Sequence, residues 1–201
     1  MSERGLILVN TGNGKGKTTA ALGVVLRAVG QGLKVLILQF IKSGHGYGEL
    51  EGLKKLGDAV TIKSMGKGFI YYNRDKVTVE ELEKHKAAAQ EAWKTLVEEV
   101  NSDKWDLIVM DEINNAINYE LIDVNSVVDM LKQKPERLHV ILTGRYAKPE
   151  IIDIADTVTE MNVVKHAYEK GIKAAKVWSA DAACCLAFAG GAVLTPGDDC
   201  G

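Results

Sequence analysis

Residues Leu6-Ile7-Leu8-Val9-Asn10-Thr11-Gly12-Asn13-Gly14-Lys15-Gly16-Lys17-Thr18-Thr19 run from an apolar strand into a glycine-rich turn and leave it through Gly-Lys-Thr. This is the local chemistry that cradles a nucleotide polyphosphate. Glycines let successive backbone N–H groups converge on phosphate oxygens, and a helix beginning near Lys17 adds its positive end. Lys17 would neutralise phosphate charge, Lys15 is a second candidate contact, and the Thr18 hydroxyl is a candidate Mg2+ ligand. The usual phosphate loop reads G-x-x-x-x-G-K-[ST], and counting back from Gly16 puts Thr11 where its first glycine belongs. The loop predicts nucleotide binding, but its altered form does not by itself predict an ordinary ATPase.

Working outward, Thr18 to Val29 reads as a helix closed by Gly30-Gln31-Gly32, and Lys34 to Phe40 as a buried parallel strand. This strand, loop, helix, strand unit belongs to an α/β nucleotide fold. Ser43 to Gly48 reads as a glycine-rich loop, Glu49 to Leu56 as a short helix and Ala59 to Lys63 as a strand. Gly66 to Arg74 is a second loop that carries Phe69, Tyr71 and Tyr72 behind two glycines. From Val79 to about Val100, Leu82, Ala89, Trp93, Leu96, Val97 and Val100 recur at helical spacing, with Trp93 expected in the core. Trp105 to Glu112 reads as a strand delivering two carboxylates. Glu112 to Asn118 follows as a loop or short helix, Val124 to Lys132 as a helix and Leu138 to Leu142 as a strand ending in Thr143-Gly144-Arg145. Pro149 opens a short helix to Ala155, and Thr157 to Glu160 is the last strand.

The 201 residues, 46% of them hydrophobic, suffice for one domain with its own core, placed at 1–175 with a tail at 176–201. Lys165 to Lys173 reads as a surface segment, and the tail has no secure period or capping pattern. A net charge of −2 supplies no field for nucleic acid or an acidic membrane, although Lys15, Lys17 and Lys42 could form a local basic groove. The three cysteines, Cys184, Cys185 and Cys200, all lie in the tail, so the body holds no disulfide scaffold, and they lack zinc-site spacing. Met1 to Gly5 has neither the length nor the flanks of a signal peptide, and no apolar run is long enough to span a bilayer. The expectation is a cytoplasmic protein with no nucleic-acid or membrane partner.

In an open α/β sheet, ligands lie beyond the carboxyl ends of the strands. The phosphate loop, Gln39 to Lys42, Asp111-Glu112 and Thr143 to Arg145 all follow strands and can therefore share one crevice. Asp111 or Glu112 would hold Mg2+ directly or through water, opposite Thr18. Arg145 is a candidate phosphate contact. Phe69, Tyr71 and Tyr72 could line a flat apolar pocket or fold back as core. His45 and His166 are lone histidines and read as surface or hydrogen-bonded residues rather than ligands.

The segments Thr11 to Thr19, Gln39 to Lys42, Tyr47 to Glu49, Gly66 to Phe69, Asp106 to Asn114, Leu142 to Arg145, Ala155 to Met161 and Lys165-His166 occur in this order. Together they resemble the ATP:corrinoid adenosyltransferases of cobalamin synthesis and salvage, over residues 6 to about 175. The resemblance implies a RecA-like P-loop fold with a mostly parallel sheet flanked by helices, a homodimer, ATP with Mg2+, and a corrinoid substrate. It also implies that ATP lies reversed relative to ordinary P-loop enzymes, because the ribose 5′ carbon is attacked. Gly12, Asn13, Gly14, Lys15, Gly16, Lys17, Thr18 and Thr19 would hold the triphosphate, and Glu112 with Thr18 would manage Mg2+. Phe69 would pack beneath the corrin ring, with Tyr71 beside it.

The implied reaction is a substitution at carbon: Co(I) attacks the 5′ carbon and tripolyphosphate leaves. Catalysis would rest on alignment and on Lys17, Thr18 and Glu112 at the leaving group, with no protein base required. An apolar wall from Phe69 and Tyr71 would ease reduction of Co(II) by excluding an axial ligand. The implied donor is a transiently bound reduced flavin or flavoprotein. The two competing readings are a phosphohydrolase or kinase, which would release ADP, and a non-enzymatic ATP-gated corrinoid carrier.

Overall fold

The computed structural model describes residues 4–42, 48–68 and 78–170. His45, Phe69, Tyr71, Tyr72, the three cysteines and the 176–201 tail lie outside the described residues. Within them, six strands form one sheet: β1 (Ile7–Thr11), β2 (Val35–Gln39), β3 (Val60–Ser64), β4 (Leu107–Asp111), β5 (His139–Thr143) and β6 (Thr157–Glu160). Every pairing is parallel, in the order β3-β2-β4-β5-β1-β6. The helices are α1 (Lys17–Gly30), α2 (Gly48–Lys54), α3 (Val79–Val100), α4 (Ile113–Asn118), α5 (Val124–Gln133) and α6 (Pro149–Ile154).

Alternation along the central strands divides the core in two. Val35, Ile37, Leu107, Val109 and Ile141 face Ala21, Val25 and Ala28 of α1 and Leu53 of α2. Their neighbours Leu36, Leu38, Ile108, Met110, Val140 and Leu142 pack on the opposite side with α3, α4, α5 and Ile151 of α6. Both faces are covered, as a parallel sheet requires. Strands β2 and β4 are buried at every position, which is why they read as continuous apolar runs.

Helix α3 starts at a capping box, with the Thr78 hydroxyl accepting from the Glu81 N–H and the Glu81 carboxylate accepting from the Thr78 N–H. Ala89, Ala92, Leu96 and Val100 form its buried stripe, and Trp93 packs partly buried against the core. Leu82, expected on that stripe, is exposed, because the first turns of α3 extend past the sheet's covered area.

Three local expectations need correction. Strand β4 stops at Asp111, and Glu112 takes a left-handed backbone (φ 64°) at the start of α4 rather than continuing the strand. The helix expected to reach Leu56 ends at Lys54 and gives way to a 3-10 turn over Gly57–Ala59. The segment from Lys165, expected on the surface, buries His166 just before a 3-10 turn over Ala167–Lys170, in keeping with the hydrogen-bonded alternative for that histidine.

Candidate active site

The last residue of each strand is polar, and all of them lie at one edge: Ser64, Gln39, Asp111, Thr143, Thr11 and Glu160 in sheet order. Four of them form a continuous hydrogen-bonded chain. The Ser64 hydroxyl donates to Gln39 Oε1 (2.6 Å), Gln39 Nε2 donates to Asp111 Oδ2 (3.0 Å), and the Thr143 hydroxyl donates to Asp111 Oδ1 (2.8 Å). Such a chain has a simple cause. These four strands run side by side through the core, and the polar residue that ends each one meets its sheet neighbour.

Asp111 is the centre of this chain and is fully buried. Its Oδ1 also accepts from the Thr18 hydroxyl (2.8 Å), and its Oδ2 lies 3.4 Å from the Lys42 ammonium. Lys42, itself buried, reaches Glu49 on α2 at 3.4 Å. The four donors around Asp111 make its buried charge tolerable. Through Oδ1 they link it to both the phosphate loop and the end of β5.

Around that hydroxyl the loop is tightly built. Lys17 is buried, and its ammonium donates to the Gly14 carbonyl at 2.6 Å. The N–H of Gly14 is engaged by the Met161 carbonyl just past β6 (2.6 Å), and the Met161 N–H donates to the Thr11 carbonyl (2.9 Å). A Cβ at Gly14 would lie 2.7 Å from the Met161 carbonyl oxygen, and one at Gly12, where φ is +92°, would lie 2.4 Å from it. Two of the loop's glycines therefore admit no side chain. Asn13 and Thr19 are exposed, and Lys15 and Gly16 are half-buried at the mouth of the loop.

Beyond Asp111, the Glu112 N–H donates to the Thr143 hydroxyl (2.9 Å), which joins the two acidic residues to the end of β5. Arg145, two residues further on, is only 6% exposed, and its guanidinium makes no hydrogen bond or ion pair among the described residues. An arginine on a turn that hydrogen-bonds the end of β1, where the phosphate loop begins, is a candidate anion contact. Asn115 and Asn114 were not singled out by the sequence reading. Asn115 Oδ1 accepts from the Arg145 N–H at 2.6 Å, and the buried Asn114 amide has no hydrogen-bond partner among the described residues. Two adjacent asparagines in an otherwise apolar stretch, Ile113 to Ile117, were the available signal.

The structure thus brings together the phosphate loop, Lys42, Asp111, Glu112 and Arg145, as strand order requires of residues at carboxyl ends. No cluster of three His, Cys, Asp or Glu side chains occurs among the described residues. The oxygens near the loop are a hydroxyl and carboxylates, a donor set suited to Mg2+ shared with phosphate rather than to a soft metal.

Residues 3–177 match the family model described as ATP:corrinoid adenosyltransferase BtuR/CobO/CobP. The chain belongs to this family. A corrinoid adenosyltransferase of Sinorhizobium sp is 41% identical over 174 residues, which cover 86% of this chain and 78% of that one. Those of Pseudomonas aeruginosa (40% identical; 87% of this chain, 83% of that one) and Escherichia coli strain K12 (39%; 86% and 84%) are similar over nearly the same span. A KaiC-like protein of Pyrococcus horikoshii aligns at 17% identity and a TM-score of 0.43 over 81% of this chain and 75% of that one, a distant likeness only. Family membership makes this adenosyltransferase an enzyme that moves the adenosyl group of ATP to a reduced corrinoid. Among the described residues, no helix is long and apolar enough to cross a membrane.

Proposed function

We propose that the carboxyl edge of the sheet aligns ATP for attack at its ribose 5′ carbon by a Co(I) corrinoid and stabilises tripolyphosphate as it leaves. The observation that carries this reading is the Thr18 hydroxyl fixed by Asp111 beside the buried Lys17, with the Arg145 guanidinium, which has no partner among the described residues, on the neighbouring turn. All of these groups serve an anion, and none is a base poised to deprotonate a nucleophile. The cobalt electron pair forms the Co–C bond while the C5′–O bond breaks and its electrons leave on the triphosphate. No proton needs to be moved, so alignment and electrostatics suffice.

In this scheme Gly12 to Thr19 hold the triphosphate, and Lys17 exchanges its contact with the Gly14 carbonyl for a phosphate oxygen. Thr18 and Glu112 hold Mg2+, which would spread the leaving group's charge. Asp111, with both oxygens already engaged, orients Thr18 rather than binding the metal directly. Arg145 contacts the polyphosphate. Phe69 and Tyr71 would meet the corrinoid, as the family resemblance implies. The same reading includes a homodimer, a cytoplasmic location and a transient reduced flavin or flavoprotein donor.

An anaerobic assay with MgATP and chemically reduced cob(I)alamin tests it. Formation of a light-sensitive adenosylcorrinoid with equimolar tripolyphosphate is the expected result. ADP and orthophosphate with an unchanged corrinoid spectrum would replace it with a phosphohydrolase, and binding of both substrates without turnover would replace it with a carrier.

A further inference from the structure

The residue standing in place of the loop's first glycine has a hydroxyl, and the structure shows where that hydroxyl goes. Thr11 Oγ1 accepts from the Ala147 N–H at 3.2 Å, on the turn after β5. The other end of that turn is held from α4, where Asn115 Oδ1 accepts from the Arg145 N–H at 2.6 Å. At and beside these anchors the backbone is unusual. Gly144 has φ +128° and Tyr146 has φ +56°. A Cβ at Gly144 would lie 2.6 Å from Asn115 Oδ1 and 3.0 Å from the Asn114 Cβ. Left-handed, crowded backbone of this kind persists only where its surroundings over-determine it.

We propose that Thr11 and Asn115 are positioning residues for Arg145: two side-chain oxygens, one from the phosphate loop and one from α4, clamp the Gly144–Ala147 turn so that its buried guanidinium meets the nucleotide's polyphosphate. The proposal rests on the reading of Arg145 as a polyphosphate contact. Among the described residues the guanidinium carried by this turn has no partner of its own. Fixing the backbone on both sides of Arg145 removes conformational freedom that binding would otherwise have to remove. Thr11 makes the linkage direct, because the same residue ends β1, opens the phosphate loop and holds the turn.

The test is calorimetric binding of tripolyphosphate with Mg2+, with KM and kcat for ATP measured alongside, on Thr11→Val, Thr11→Ser, Asn115→Leu, Arg145→Gln and the Thr11→Val/Arg145→Gln double variant. Thr11→Val, which keeps shape and loses the acceptor, should bind about 3- to 10-fold more weakly, while Thr11→Ser stays within about twofold of the parent. Asn115→Leu should lose about 10-fold or more, since it strands the Arg145 N–H. On the Arg145→Gln background, Thr11→Val should cost nothing further, because its effect passes through the guanidinium. An equal loss from Thr11→Val on both backgrounds, or parent-like binding by Thr11→Val when Arg145→Gln is weakened, overturns the positioning role while leaving Arg145 as a contact. Parent-like binding by Arg145→Gln removes the contact and the proposal together. If Asn115→Leu fails to fold, the Thr11 cycle decides alone.

Discussion

Arg137 and Arg145 stand two residues outside the opposite ends of β5, and their surroundings differ in every respect that matters. At the amino end, Arg137 is 42% exposed and saturated, donating to Asp103 (2.8 Å) and Asp106 (2.6 Å), while Asp106 also accepts from the Lys34 N–H. At the carboxyl end, Arg145 is buried and, among the described residues, donates only its backbone N–H, to Asn115. The amino edge spends its charges on the protein itself, tying β2, β4 and β5 together in water, where such pairs contribute little each. The carboxyl edge, among the described residues, leaves the Arg145 guanidinium without a protein partner. An arginine's partners, rather than its presence, separate the structural edge of this sheet from the chemical one.

The comparison can be broken at several points. Arg145→Gln should lower kcat/KM for ATP about 100-fold while the melting temperature stays level, since no described residue pairs with the guanidinium; a fall in melting temperature with unchanged kinetics would make the two arginines alike. Gly144→Ala should destabilise by about 1–3 kcal/mol in urea unfolding, for lack of both space and an accessible φ. Arg137→Gln should change stability by at most about 1 kcal/mol and leave the kinetics alone.

The smallest effect concerns pH at the amino edge. Asp156 accepts from the Ile7 N–H and pairs with Arg4, and these contacts hold its carboxyl below the usual carboxylate range. A depressed value in the folded state gives stability that is complete above the unfolded pKa and fades as pH falls through the folded one. Comparing unfolding of Asp156→Asn with the parent from pH 7 downward should show a difference at neutrality that closes below about pH 4. A difference independent of pH would mean that the carboxylate charge is not what fastens β1.

Much of this was legible in the sequence. Leu6 to Thr19 specified strand, loop and helix locally, and Asp111 was recognisable because a carboxylate ending an apolar run sits at a strand's carboxyl end. Thr11 was visibly out of place, but its partner lies 136 residues away, so its use as an acceptor could not be read. Asn115 escaped notice for the same reason, with its partner on a turn 30 residues on. The left-handed backbone at Glu112 was hidden because a glutamate announces no preference for it, whereas a glycine would have.

The contact between Met161 and the phosphate loop carries a further implication. Strand β6 is exposed along its length and pairs with β1 alone, so within the sheet it should be among the first elements to open. Yet the chain leaves it directly into the Met161 bridge, whose two hydrogen bonds end on Thr11 and Gly14. A nucleotide that stiffens this loop would therefore also fasten the sheet's outermost strand. Amide exchange along Thr157–Glu160 would then report occupancy of the loop from the rim of the sheet.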